Sequence, residues 1–349
     1  DTAPAKARRY LKPIPRYNAR MKFTFLGTSA GVPTRNRNVS GFALSLRENR
    51  SWYLVDCGEG TQHQLLRCHY SLAKLQAIFI THVHGDHCYG LPGLLASANM
   101  SGRKEPLTIC APDGIEQFVS AALKYTDVST LRYPLHFVRS DNCAAQSMKV
   151  FSDHRLKVTA HTLSHRVPSF AYRFEEIPPN ALNQSALRAK GVPRGPLWGE
   201  LQHGNSVRLD NGKVVNPEDV CEASWKPRAI MVGGDNDKPE LLVSALKNTD
   251  LLVHESTFTE DVLARIGTQY MHSTAAQVAK AAAQARVPFL ALTHFSQRYR
   301  DKLSADTRHI DELRQEAACY YSGEILMARD CDQYTLTKDR KLAKLPSEC

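Results

Sequence analysis

Apolar and polar positions alternate over residues 22–27 (KFTFLG), a strand pattern that starts from Met21 and stops at Gly27. A loop rich in Gly, Pro and Asn, TSAGVPTRNRN, follows to Asn38. Residues 41–46 and 52–56 read as the next strands, and 60–70 as a helix. LQAIFIT, 75–81, is the continuous apolar run of a buried strand, and it feeds straight into His82. GLPGLLASANM predicts a helix with proline in its first turn. Further along, the pattern gives a helix over 114–125 and strands over 156–163 and 169–175, which flank His165. AIMVGGD (229–235), DLLVHES (250–256), FLALTH (289–294) and 332–337 read as strands. Residues 273–286 predict an Ala-rich helix with Ser273 as its N-cap, and 306–318 another helix. No repeat of solenoid length is present.

From Pro178 to Arg228 this rhythm breaks. Pro and Gly are dense and strand patterns are weak, so the stretch reads as an inserted arm. Strands alternating with helices on either side of it predict an α/β fold. The expected organisation is a basic extension (1–21), one large domain (22–340) carrying the arm at 178–228, and a C-terminal tail (341–349).

At 349 residues and 42% apolar content, the chain can bury a sizeable core. No apolar run reaches the ~18 residues that a membrane helix needs, so no membrane partner is expected. Nine Cys, an odd number with no CxxC pair, argue against a disulfide framework and for a reducing compartment. Net charge is +10, concentrated at the start: residues 1–22 hold seven basic side chains against Asp1. This segment has no apolar run, so it is no secretory signal. It reads as a solvated tail, as an arm for nucleic-acid phosphate, or as an organellar address. An organellar (mitochondrial) matrix is placed ahead of the cytoplasm.

Candidate chemistry sits in His82-Val83-His84-Gly85-Asp86-His87, three imidazoles and a carboxylate directly after a buried strand. Imidazole is the commonest metal ligand at neutral pH, and Asp adds a hard oxygen. A tight loop at Gly85 can send His82 and His84 one way and Asp86 and His87 the other. His165, Asp235 and His294 each follow a predicted strand and complete a set of five imidazoles and two carboxylates. Such a set suits two Zn²⁺, with Asp235 bridging and Mn²⁺ as a substitute.

HxHxDH together with LVDCGEGTQHQL (54–65), IFITHVHGDHCYGLPGLL (78–95), GVPRGPLWGEL (191–201), LLVHEST (251–257), HST (272–274) and LTHFSQRY (292–299) resembles ribonuclease Z, short form, within the metallo-β-lactamase superfamily. The likeness runs over residues 22–337. It implies an αββα sandwich with a protruding flexible arm, and a homodimer in which each arm serves the partner's site. It implies pre-tRNA as substrate, cut just 3′ of the discriminator nucleotide by a metal-held hydroxide to leave a tRNA 3′-OH and a trailer 5′-phosphate.

By the same resemblance, His82, His84 and His165 hold one zinc, Asp86, His87 and His294 the other, and Asp56 orients a ligand from behind. Glu255 and His272 form the acid pair that protonates the departing oxygen. Asp86, a conceivable proton carrier, is kept as a ligand. Lys190 and Arg194 on the arm, Arg298 beside His294, and Arg35 and Arg37 in the loop 34–40 are the expected RNA contacts. The chain departs from the family at Asn236, where Thr is usual, and at Ser256, where Ala is usual. Two other readings stay open. One is a di-zinc hydrolase of small phosphodiesters, sulfate esters or thioesters. The other is an assembly factor anchored to a larger RNA–protein particle by the basic extension.

Overall fold

The computed structural model describes residues 21–46, 51–128, 130–141, 148–302 and 307–346. The expected basic extension therefore lies outside the described residues, apart from Met21. The first half of the chain lays down β1 (Met21–Gly27), β2 (Gly41–Leu46), β3 (Trp52–Cys57), β4 (Leu75–Phe79), β5 (Leu107–Ala111) and β6 (Leu135–Arg139). The second half supplies β7 (Met148–Ser152), β8 (Leu156–Leu163) and β9 (Ser169–Glu176). The arm contributes β10 (Asn180–Leu182), β11 (Val207–Arg208), β12 (Val214–Val215) and β13 (Cys221–Ala223). After it come β14 (Ala229–Gly233), β15 (Leu251–Glu255), β16 (Phe289–Thr293), β17 (Tyr299–Arg300), β18 (Arg308–His309) and β19 (Glu324–Met327). The chain closes with β20 (Gln333–Leu336) and β21 (Leu342–Lys344).

Among the described residues, two large sheets form. One runs β21-β20-β1-β2-β3-β4-β5-β6, the other β19-β16-β15-β14-β9-β8-β7. The expected tail is thus partly structured: β21 pairs antiparallel with β20 at the edge of the first sheet. Side chains alternate across each strand, and one face of each sheet meets the other. Phe23, Phe25, Phe42, Phe79, Tyr172, Phe174, Ile230 and Leu252 share this inner core. Phe79 meets Phe174 edge-on with ring centroids 5.0 Å apart; burying one such ring stabilises the fold by roughly 2–3 kcal/mol. On the outer face of the first sheet, Leu54, Ile78 and Ile109 pack with Leu91, Leu94 and Leu95 of helix Leu91–Met100 and with Val119 of helix Ile115–Tyr125. Helix Ala275–Gln284 covers the second sheet. This is the αββα layering the motifs imply.

Several predicted bounds shift. The helix expected over 273–286 starts after Thr274, whose side chain accepts from the Gln277 amide in a capping box. Ser273 instead donates to the Asn236 carbonyl. The helix expected from 306 spans Asp311–Ala318. The arm is more regular than its Pro and Gly suggest. Helices Gln184–Lys190, Pro196–Gln202 and Pro217–Val220 and the pairs β10–β13 and β11–β12 surround a small core of Leu187, Leu201, Val207, Val215 and Val220.

Parallel pairing decides where chemistry gathers. β3, β4, β5 and β6 are mutually parallel neighbours, and so are β14, β15, β16 and β19. Open sheets collect ligands beyond the carboxyl ends of parallel strands. Here the carboxyl ends of β3, β4, β14, β15 and β16 carry Asp56, His82, Asp235, Glu255 and His294.

Candidate metal centre

Gly85–Cys88 forms a single helical turn, and His84 before it is extended. The expected loop is therefore part helix, and it still splits its side chains into two groups. Close backbone approach makes this fit. A Cβ on Gly58 would lie 2.3 Å from the Asp86 carbonyl oxygen, and one on Gly234 2.6 Å from Thr81 Cβ. Asp56 and His294 both adopt left-handed φ values of 56°. Backbone strain of roughly 1–3 kcal/mol at such positions is typical of functional sites.

His82, His84, His165 and Asp235 form one convergent group, and Asp86, His87 and His294 another. In the first, His84 Nδ1 lies 3.1 Å from His82 Nε2 and 3.3 Å from His165 Nε2. In the second, His87 Nε2 lies 3.3 Å from His294 Nε2, and each is 3.4 Å from Asp86 Oδ2. Asp235 faces both groups. Its Oδ2 is 3.5 Å from His82 Nε2, while its Oδ1 is 3.4 Å from His87 Nε2 and 3.3 Å from His294 Nε2. Donors held 2.0–2.1 Å from a tetrahedral ion stand about 3.3 Å apart. Oδ1 is also buried without a hydrogen-bond partner, a state that costs about 1–3 kcal/mol unless a cation meets it. Spacing, donor chemistry and the orphaned oxygen all fit divalent metal.

Behind the donors, two buried carboxylates do parallel work. Asp56 Oδ2 accepts His87 Nδ1–H at 2.7 Å and the Thr81 hydroxyl at 2.9 Å. Thr81 Oγ1 then accepts from His82 Nδ1, 3.0 Å away. Glu255 Oε1 meets His272 Nδ1 at 3.2 Å, and its Oε2 accepts the Thr257 hydroxyl at 2.6 Å. Thr257 Oγ1 in turn accepts from His294 Nδ1, 3.1 Å away. His165 Nδ1–H donates to the Met271 carbonyl at 2.9 Å. In each of these four histidines, fixing the proton on Nδ1 turns Nε2 towards the centre. Thr81 and Thr257 escaped the sequence reading. Their signal was modest: a Thr directly before His82, and a Thr two residues after Glu255.

Asn236 holds this assembly together. Its Oδ1 accepts from the Ser164 and Lys238 amides at 3.1 Å each, its Nδ2 meets His254 Nε2 at 3.0 Å, and its own amide donates to Glu255 Oε1 at 3.2 Å. His254 Nδ1–H donates to the Glu255 carbonyl, so Nε2 is free to accept. One carboxamide thus ties the Asp235, His165 and Glu255 segments, which a threonine hydroxyl could not span.

Electrostatics match the geometry. Burial lowers the pKa of His82, His84 and His165, leaving neutral lone pairs. Burial opposes charge on Asp86 and Asp235, but surrounding histidines outweigh it and hold both carboxyls below the usual range. Burial likewise opposes charge on His272, yet Glu255 and Asp235 raise it to about 9. Replacing Asp56 by Asn keeps one acceptor for the Thr81 amide but puts an NH2 donor where Oδ2 accepts from His87 and the Thr81 hydroxyl. Metal affinity should then fall by about 10–100-fold, read by competition with a chromogenic chelator; an unchanged affinity would remove Asp56 from this role.

The expected RNA contacts divide. Arg35, Arg194 and Arg298 are exposed, and Arg194 lies over the Trp198 ring, 5.6 Å from its centroid. Lys190 is paired with Asp219 at 2.9 Å, so its charge is partly matched within the arm. Arg37 is structural: it is buried, donates to Thr28 Oγ1 and the Ala328 carbonyl at 2.7 Å each, and stacks on Phe295. Its sequence setting, between polar loop residues, gave no hint of that burial. Arg35 and the edge of Arg37 line a cleft of about 390 Å³ together with His63 and Arg67.

The chain is similar to several known proteins. The family model of anti-Pycsar protein Apyc1 matches residues 21–171. Ribonuclease Z of Marinobacter nauticus is 50% identical over 326 residues, 93% of this chain and 99% of that protein. Ribonuclease Z of Prochlorococcus marinus is 40% identical over 307 residues, 88% of this chain and 95% of that one. Among solved structures, human tRNase Z, short form, superposes with a TM-score of 0.59 at 27% identity, covering 90% of this chain and 98% of that one. A metallo-β-lactamase fold protein of Bacillus subtilis, at 21% identity and a TM-score of 0.61 over 90% of this chain and 99% of that one, shares the fold.

Proposed function

The chain belongs to the ribonuclease Z family, and from that membership we propose that it is a two-zinc endoribonuclease that removes 3′ trailers from pre-tRNA. Mn²⁺ is the expected substitute metal. His82, His84 and His165 would hold one ion, Asp86, His87 and His294 the other, and Asp235 both. Bound there, the metals supply an activated water and neutralise charge on the scissile phosphate. The chain does the rest. Glu255 holds His272 by Nδ1, so its Nε2–H is left to protonate the 3′ oxygen that departs with the tRNA. The products are then a tRNA 3′-OH and a trailer 5′-phosphate.

One observation carries the choice of a large substrate over a small ester: residues 178–228 fold round a core of their own, set apart from the two sheets. A grip on phosphates far from the cut selects tRNA by shape. In this reading the enzyme is a homodimer, and each arm serves the partner's centre. The basic segment at 1–21 is proposed as an organellar address or as a contact to a larger RNA–protein particle.

The test is cleavage of a pre-tRNA bearing a 3′ trailer, with zinc supplied and both product ends mapped. Cleavage just 3′ of the discriminator, with a 3′-OH on the tRNA, is expected. A zinc-loaded protein that leaves pre-tRNA intact but hydrolyses a small phosphodiester would overturn the substrate assignment.

A further inference from the structure

The arm leaves the body after Glu176 and returns before Ala229, so its two crossings run side by side. The Glu176 amide donates to the Arg228 carbonyl at 2.9 Å. Both side chains are buried, Arg228 at 0% exposure and Glu176 at 3%. They meet as a fork: Arg228 Nη2 donates to Oε1 at 2.7 Å and Nε to Oε2 at 2.9 Å. Oε2 also accepts the Trp225 indole N–H at 3.0 Å. Arg228 Nη1 reaches the opposite sheet, donating to the Leu336 carbonyl at the end of β20 at 2.6 Å.

The β20–β21 connection closes over the same point. Lys338 Nζ sits 3.6 Å from the Trp225 ring centroid. Arg340 donates to the Pro227 carbonyl at 2.8 Å and pairs with Asp250. The outgoing strand runs into Pro178 and Pro179, and Pro227 lies on the return. Each ring fixes φ and removes torsional play.

A buried ion pair adds little net stability compared with apolar residues of the same volume, but it is exacting about geometry. This one stands where the chain enters and leaves an element with a core of its own, and a small angular error there grows with distance. We infer that the Glu176–Arg228 fork, braced by Trp225 and the β20–β21 connection, sets the angle of the arm and so the affinity for a large RNA. It is a positioning device that leaves bond cleavage untouched. The inference rests on the reading of residues 178–228 as the tRNA grip.

The experiment compares the full chain with Glu176→Gln, Trp225→Phe and a deletion of 180–224 bridged by a Gly-Ser linker. Glu176→Gln should raise KM for pre-tRNA about tenfold with kcat little changed. Hydrolysis of bis(p-nitrophenyl) phosphate and zinc content should stay at parent values. Trp225→Phe, which keeps the ion pair, should raise KM in the same sense by a smaller factor, and it decides the matter if Glu176→Gln does not fold. If the deletion raises KM while both point variants leave it unchanged, the fork has no positioning role. If Glu176→Gln loses activity on RNA and small ester alike, with a lowered Tm, the fork is merely structural. If the deletion itself leaves KM for pre-tRNA unchanged, the grip reading fails first.

Discussion

Asp235→Ala is expected to lower kcat on pre-tRNA by about four orders of magnitude, or about 5 kcal/mol at the barrier, and to strip most of the bound metal. The expectation follows from its two oxygens facing different donor groups. Removing the carboxylate leaves His82, His84 and His165 as three neutral donors, and leaves Asp86 as the one anionic donor beside His87 and His294. Asp235→Asn separates charge from shape. It keeps one oxygen, so one of the two groups should retain its ion. Atomic absorption on dialysed protein reads both variants. Parent metal content together with parent kcat in Asp235→Ala would show that the two groups do not act as one centre.

The second large effect concerns His272. Its alanine variant should lose about 10²–10⁴-fold in kcat on pre-tRNA, and a substrate with a p-nitrophenolate leaving group should be nearly unaffected, because that oxygen departs without a proton. Sign matters for pH. Glu255 and Asp235, against burial, hold the imidazolium up to about 9. The donor is present below that value, and activity falls as pH rises through it. Cations held at Asp235 would cancel part of its pull, so a metal-loaded enzyme should show its alkaline limb below 9. In Glu255→Gln that limb should move lower still. An alkaline limb that stays put in Glu255→Gln would assign the proton to another group. In the metal-free protein, stability drawn from the charged His272 is complete below its ordinary value of 6.5 and is lost as pH rises through about 9.

Much of this was legible in the sequence because strands announce their ends. Continuous apolar runs such as LQAIFIT, which is followed by His82, and FLALTH, which ends in His294, place a His at a sheet rim, and all seven expected donors meet there. What was not legible depends on partners remote in the chain. Thr81 and Thr257 are ordinary strand-end residues until Asp56 and Glu255 fold beside them. Arg37 reads as a free loop cation, yet Thr28, Ala328 and Asp301 draw it inside. The N-cap moved from Ser273 to Thr274 because Asn236 captured the serine hydroxyl. The arm hid its order because its elements are short and its core small; Gly and Pro mark its turns rather than a lack of structure.

One feature of the first sheet bears on how the protein is made. β1 lies between β2 and β20, so a nascent chain emerging from the ribosome carries β1 with one bare edge until residues 333–336 arrive. At ~5–20 residues per second, that interval lasts roughly 15–60 s. An unpaired apolar edge is a template for mispairing, so this is the window in which a chaperone has most to offer. The same order of synthesis delays the nuclease: the sheet bearing Asp56 and the HxHxDH turn closes only after His294, the last of the seven convergent side chains, has been translated.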